Sequence, residues 1–208
     1  MSSEKTTGPV GLVLDWDGTV TERDTLDLVL QEFGTAEIYE RAEQELEAGR
    51  MTLNEVISME FETVTAPLDE VVAYVVEHAR VRPGFTELAR IRRPLVVSSG
   101  FHELIEPVLE RERVLGAVEL RANRVEARAD GWRVHYRIAE TCPACGEPCK
   151  RGDLPPGEVV YAGDGHSDYC AALAADRVFA TGSLARWLRG RGVSFTPLTD
   201  FRALAAEL

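Results

Sequence analysis

The chain has 208 residues, 45% hydrophobic and 28% charged, with a formal net charge of −12, which is enough apolar mass for one domain, or one domain carrying a large insertion. That acidity argues against nucleic acid or an anionic membrane as partner, and no apolar run approaches the roughly 18 residues of a membrane helix. The polar start MSSEKTTGPVG has no secretory apolar stretch and four cysteines are too few for a disulfide scaffold, so the expectation is a soluble cytoplasmic protein, monomer or homodimer.

Residues 1–8 read as a disordered tail. Residues 10–14 form a short apolar run ending in Asp15, Asp17 and Gly18, the pattern of a buried strand followed by a turn. From about residue 24 to 79, apolar positions recur at helical spacing among many carboxylates. Thr52 with Glu55 is a capping box, and Pro67 suits the first turn of another helix. This predicts three or four helices, dividing the chain into a helical unit over 22–81 and an α/β core made of 1–21 and 82–208.

Beyond Pro83-Gly84 the patterns alternate. A helix is expected over 86–92, a buried strand over 95–97 and a helix over 102–113. An antiparallel hairpin over 118–136 would turn at Asp130-Gly131. A strand over 158–162 runs into Gly163-Asp164-Gly165, followed by a helix over 167–175, a short strand over 178–180 and mainly helix. Strands alternating with helices imply a parallel α/β sheet.

Three of these strand ends carry polar groups: Asp15 with Asp17, Ser98 with Ser99, and Asp164 with Asp168. Ligands bind at the carboxyl ends of strands in open parallel sheets. Carboxylates gathered there repel one another unless a cation lies between them, and oxygen donors with few histidines favour Mg²⁺ over zinc. A hard divalent cation in such a cleft usually brings a phosphate with it. Of 23 basic residues only Lys5 and Lys150 are lysines, which suits Lys150 to be the point charge facing a phosphoryl group. Asp15 and Asp17, two apart in extended chain, can aim at one cleft, with Gly18 supplying the turn.

D-W-D-G-T at residues 15–19, Ser98 after an apolar strand, Lys150, and G-D-G-H-S-D at residues 163–168 together resemble the four motifs of the haloacid dehalogenase superfamily. The resemblance spans essentially the whole chain. It implies a Rossmann-like three-layer parallel-sheet core with a small helical C1 cap inserted after strand 1. It further implies a phosphatase of small phosphorylated metabolites, since the superfamily's dehalogenases lack the second aspartate. By the same resemblance Asp15 is the nucleophile, forming an aspartyl phosphate, and Asp17 the acid and base. Asp15, the Asp17 backbone carbonyl and Asp164 hold Mg²⁺ with Asp168 behind them, while Ser98 and Lys150 hold phosphoryl oxygens.

Within the superfamily the chain is similar to the phosphoserine-phosphatase-type branch. Asp24 stands at that subfamily's acidic position, nine after the nucleophile, and Ser99 and Gly100 complete a second motif that usually reads Ser-Gly-Gly. The subfamily's carboxylate-gripping cap arginine aligns, from Met51, with Glu60, which would repel a carboxylate. The nearer similarity is to the methionine-salvage phosphatases of 2-hydroxy-3-keto-5-methylthiopentenyl-1-phosphate, over residues 52–56, 79–85 and a cysteine-rich loop before the lysine. Transfer of phosphate to another acceptor, as in phosphomutases, and a non-catalytic zinc-knuckle binding protein are the competing readings.

That loop, C-P-A-C-G-E-P-C, places Cys142, Cys145 and Cys149 at the spacing of a zinc knuckle plus one thiol. Zinc, a disulfide and free thiols are all open, and Cys170, His135 and His166 are candidate fourth ligands. Trp16 reads as packing, Phe101 and His102 as cap-interface residues, and Arg41, Arg50 and the acidic run 37–47 as solvated helix faces.

Overall fold

In the computed structural model, which describes residues 10–208, the short apolar runs become strands and the longer amphipathic segments helices. The tail expected over residues 1–8, with Lys5, lies outside the described residues. In chain order the elements are β1 (Gly11–Leu14), α1 (Thr25–Phe33), α2 (Ala36–Glu47), α3 (Leu53–Phe61), α4 (Leu68–His78), α5 (Phe85–Arg92), β2 (Leu95–Phe101), α6 (His102–Arg111) and β3 (Glu119–Glu126). There follow β4 (Arg133–His135), β5 (Val159–Gly163), α7 (Tyr169–Ala172), β6 (Arg177–Ala180), α8 (Gly182–Gly190), β7 (Thr196–Pro197) and α9 (Phe201–Ala206).

The strands form one sheet in the order β4-β3-β2-β1-β5-β6-β7. All neighbours are parallel except β3 and β4, which pair antiparallel with Val125 opposite Val134. The order turns back at β1, with β2 on one side and β5 on the other, so the crevice beyond β1 is where such a sheet takes its ligand. Alternation along the strands feeds two apolar layers. Leu12, Leu14, Val96, Val160, Ala162 and Phe179 pack on one face; Val13, Val97, Val159, Tyr161, Val178 and Ala180 pack on the other, against residues of α7 and α8. This is the expected three-layer α/β architecture.

Four helices, α1 to α4, lie between β1 and α5. Thr52 and Glu55 close the capping box at the start of α3, which satisfies backbone donors that the first turn leaves unpaired. The chain leaves and re-enters the sheet side by side: Thr21 and Val81 form an antiparallel bridge, flanked by Glu22 N–H to the Arg80 carbonyl and Arg82 N–H to the Val20 carbonyl, both 2.8 Å. The helical unit does not keep a core of its own. Val29, Ile57, Phe61 and Val75 share one cluster with Leu14, Phe85 and Phe101 of the sheet side. Phe61 packs edge-on to Phe101 at 4.8 Å, and Trp132, beyond the hairpin turn, donates its Nε1–H to the Ala66 carbonyl at 2.9 Å.

Several expectations are corrected. Pro67 is the residue before α4 rather than in its first turn, where its fixed φ and missing N–H are tolerated. The helix expected over 167–175 is split into a single tight turn, His166–Asp168, and the four-residue α7, because Asp168 bends back to cap the N–H groups of Asp164 and Gly165. β2 runs on to Phe101, so Ser98, Ser99 and Gly100 belong to the strand, where its register against β3 shifts between Val97 and Phe101. The two-residue β7 carries too short a pattern to be read from sequence.

Candidate active site

Asp15 continues β1 in sheet register, its N–H donating to the Ala162 carbonyl of β5 at 2.9 Å, and is 3% exposed. A single turn, Trp16–Val20, follows. Gly18 has φ +68°, and a Cβ there would lie 2.3 Å from Asp164 Oδ2, so only glycine lets the turn close against that carboxylate. Arg82 pins the turn by donating Nε–H to the Thr19 carbonyl and Nη2–H to the Gly18 carbonyl, both at 2.9 Å.

Asp168 is the hub of the buried polar network. Its carboxylate accepts from Tyr161 Oη at 2.6 Å, Lys150 Nζ at 2.8 Å, Asp164 N at 2.9 Å and Gly165 N at 3.0 Å. Lys150, 3% exposed, also donates to Asp15 Oδ1. The carboxylates of Asp15, Asp164 and Asp168 each offer an oxygen within 4.8 Å of the others. Burial, and then the charge of Asp168, hold the Asp15 carboxyl well above the usual range although Lys150 opposes them. The same two causes push Asp164 up to about 7. Burial alone would depress the Lys150 ammonium, but Asp15 and Asp168 outweigh it and raise its pKa. Three carboxylates against one ammonium leave an excess of negative charge in a poorly solvated place. Of the three, Asp15 and Asp164 are the hard oxygen donors that fit a divalent cation such as Mg²⁺, because the bonds to Asp168 occupy its acceptor sites.

Asp17 is held by a second set of partners. Its Oδ1 accepts from Thr25 N at 2.9 Å and from Thr25 Oγ1, and its Oδ2 accepts from Ser98 Oγ at 3.3 Å. Burial raises the Asp17 carboxyl, while the Thr25 bonds pull it back. Ser98 Oγ in turn accepts from Gly100 N at 2.8 Å. Asp24 spends one oxygen as the N-cap of α1, accepting from Leu26 N at 2.8 Å and Asp27 N at 3.2 Å. Burial and then Asp17 keep its carboxyl well above the ordinary range.

A cavity of about 380 Å³ opens beside this network, walled by Ser98, Ser99, Lys150, Leu53, Tyr136 and Trp187 among others. The cysteine loop forms part of its rim through Cys145 and Cys149. Ser99 reaches this wall with its carbonyl tied to Asn123 Nδ2 at 2.8 Å. The side chain that joins the three loop cysteines is Cys170 of α7. His135 instead stands 3.6 Å from Glu126, and His166 is exposed, tilted against Tyr169.

The remaining residues behave as packing or surface. Trp16 is fully buried, edge-on to Phe85. Phe101 meets the helical unit through Phe61, whereas His102 bonds Glu106 of its own helix at 2.7 Å. Arg41 is exposed and Arg50 pairs with Glu45 at the surface. Three residues that organise the site escape sequence reasoning: Thr25, Tyr161 and Arg82. A threonine opening a helix, a tyrosine in an apolar strand and an arginine beside Pro83 each have an ordinary reading, and nothing local marks their targets.

A sequence model of the haloacid dehalogenase-like hydrolases matches residues 12–173. A 2-hydroxy-3-keto-5-methylthiopentenyl-1-phosphate phosphatase of Bacillus cereus (strain B4264) is 24% identical over 208 residues, spanning 93% of each chain. Its counterpart in Geobacillus thermodenitrificans (strain NG80-2) is 25% identical over 208 residues, spanning 91% of each. Among solved structures, a phosphoserine phosphatase captured as a phospho-aspartyl intermediate analogue superposes with TM-score 0.71 at 18% identity, covering 97% of this chain and 100% of that one. A substrate-bound phosphoserine phosphatase gives TM-score 0.71 at 16% identity, covering 97% and 99%. These two likenesses concern the fold.

Proposed function

Because the chain belongs to the haloacid dehalogenase-like hydrolase family, we propose that it is a Mg²⁺-dependent phosphomonoester hydrolase of small metabolites that works through a phosphorylated aspartate. The observation that carries this reading is the buried lysine bridging two carboxylates: Lys150 Nζ bonds both Asp15, directly after β1, and Asp168, in the turn that follows the adjacent strand β5. A carboxylate can approach an anionic phosphate only where positive charge offsets the repulsion, and Lys150 touches the attacking oxygen's own carboxylate. Asp15 attacks phosphorus and its oxygen becomes bonded to the phosphoryl group as the substrate's alkoxy oxygen leaves. Asp17, held by Thr25 and Ser98, gives that oxygen a proton and later takes one from the water that hydrolyses the acyl phosphate. Ser98 and Lys150 hold phosphoryl oxygens. Mg²⁺, held by Asp15, Asp164 and the backbone carbonyl of Asp17, would supply the remaining charge stabilisation. Four donors fill the roughly four acceptor sites of Asp168, which makes it a positioning residue for Lys150 and for the backbone at Asp164.

For the substrate, Glu60 on α3, 6% exposed and held protonated up to about pH 8 by its burial, brings no positive charge with which the helical unit could grip a carboxylate. We take 2-hydroxy-3-keto-5-methylthiopentenyl-1-phosphate, the compound in the names of the relatives at 24–25% identity, as the first candidate in a cytoplasmic setting. Among the described residues no helix is long and apolar enough to cross a membrane. The test is inorganic phosphate release from that compound, phosphoserine, phosphocholine and sugar phosphates with Mg²⁺, with and without acceptor alcohols, using Asp15→Asn as control. One member turned over far above the rest, with a dead variant, is expected. A folded, metal-loaded protein that releases phosphate from none of them, or transfers it only to acceptors, would overturn the proposal.

A further inference from the structure

Four cysteines from two separate segments converge beside the candidate active site. The sulfurs of Cys142, Cys145, Cys149 and Cys170 all lie within 4.8 Å of one another, and Cys142 and Cys170 Sγ are 3.9 Å apart. A tetrahedral ion with metal–sulfur bonds of about 2.3 Å has sulfur–sulfur edges of about 3.8 Å. Two disulfides would instead draw the sulfurs into pairs at about 2.05 Å. The loop from Cys142 to Cys149 closes on itself. Cys142 N–H donates to the Glu147 carbonyl at 2.9 Å and Gly146 N–H to the Cys142 carbonyl at 2.8 Å, with Gly146 at φ +82° closing the turn. Arg151 reaches the Cys170 carbonyl at 3.4 Å, bringing a guanidinium to the edge of the cluster.

We propose that Cys142, Cys145, Cys149 and Cys170 form a structural tetrathiolate zinc site that clamps the loop before Lys150 to the helix after Asp168. Cys149 directly precedes Lys150, and Cys170 follows Asp168 by two residues. The ion therefore staples together the two chain segments whose side chains make the 2.8 Å Lys150–Asp168 bond. On binding, four thiols lose their protons to solvent and four sulfur–zinc bonds form, with no change of oxidation state. Four closed ligand positions leave none for water, so the site holds structure and performs no chemistry. The same loop walls the cavity, so the clamp also sets the shape of one side of it.

The experiment reads metal rather than activity, so its outcome is independent of the phosphatase proposal. Protein purified without chelator is assayed for zinc by inductively coupled plasma mass spectrometry, and refolded apoprotein is titrated with Co²⁺. Stoichiometric zinc, and the ligand-field and charge-transfer bands of cobalt bound to four thiolates, are expected, with zinc lost in Cys170→Ser. If that variant fails to fold, the wild-type cobalt spectrum decides alone. Metal-free protein with four thiols open to a disulfide reagent, a mass showing disulfides, or iron in place of zinc would overturn the proposal.

Discussion

Replacing Glu60 with glutamine should make the protein more stable at neutral and alkaline pH. Glu60 is buried on α3, and its Oε1 has no hydrogen-bond partner among the described residues. Burial first, then the carboxylates of Glu43 on α2 and Asp27 on α1, push its carboxyl from 4.5 up to about 8. The neighbouring Tyr39 and Tyr136 hydroxyls feel its charge in return. The folded state thus holds a proton that the unfolded chain releases above pH 4.5. The stability this contributes is fully present below 4.5, falls as pH rises, and is gone above about 8. At 1.36 kcal/mol per unit of difference, the loss is about 3 kcal/mol between pH 4.5 and 7, and at most about 5 kcal/mol by pH 9. An amide of the same shape does not ionise, so Glu60→Gln should match or slightly trail the wild type at pH 5 and exceed it progressively from pH 6 to 8. Urea unfolding followed by circular dichroism across that range measures the difference. Parallel pH profiles for the two proteins would refute the reasoning, since they would mean that Glu60 is no more protonated in the fold than in the open chain.

Gly18→Ala should leave a folded protein with phosphatase turnover reduced by about two orders of magnitude, the scale of a misplaced catalytic group, because the new methyl would displace Asp164. Circular dichroism with steady-state kinetics checks it, and wild-type turnover would contradict it. Trp132→Ala should cost about 3–5 kcal/mol, because the ring is fully buried beside Phe61 and its Nε1–H holds the Ala66 carbonyl. Hydrogen exchange should then quicken over residues 53–66, and a loss under about 1 kcal/mol would show that the helical unit docks without it.

What the sequence by itself determined is whatever short-range pattern encodes. The apolar run before Asp15, the Thr52–Glu55 capping box, the hairpin turning at Asp130-Gly131 and the alternation of strands with helices all place elements through periodicity and backbone preference. Those signals lie within a few residues of the structure they specify, as do the chemical types of Asp15, Asp17, Ser98, Asp164 and Asp168. Tertiary structure alone decided which of these groups meet. Lys150 and Asp15 are 135 positions apart, and Thr25, Tyr161 and Arg82 acquire their roles only through the partners that packing delivers. Cys170 becomes the fourth sulfur because α7 packs against the turn 150–153 that follows the loop, a choice that spacing left open against His135 and His166. Asp24, legible as an acidic position, turns out to cap α1, and Glu60, legible as a charge on a helix, is buried because α1, α2 and α3 close around it. Local sequence constrains dihedral angles and solvation preference, whereas partner choice and burial depend on the whole chain's packing at once.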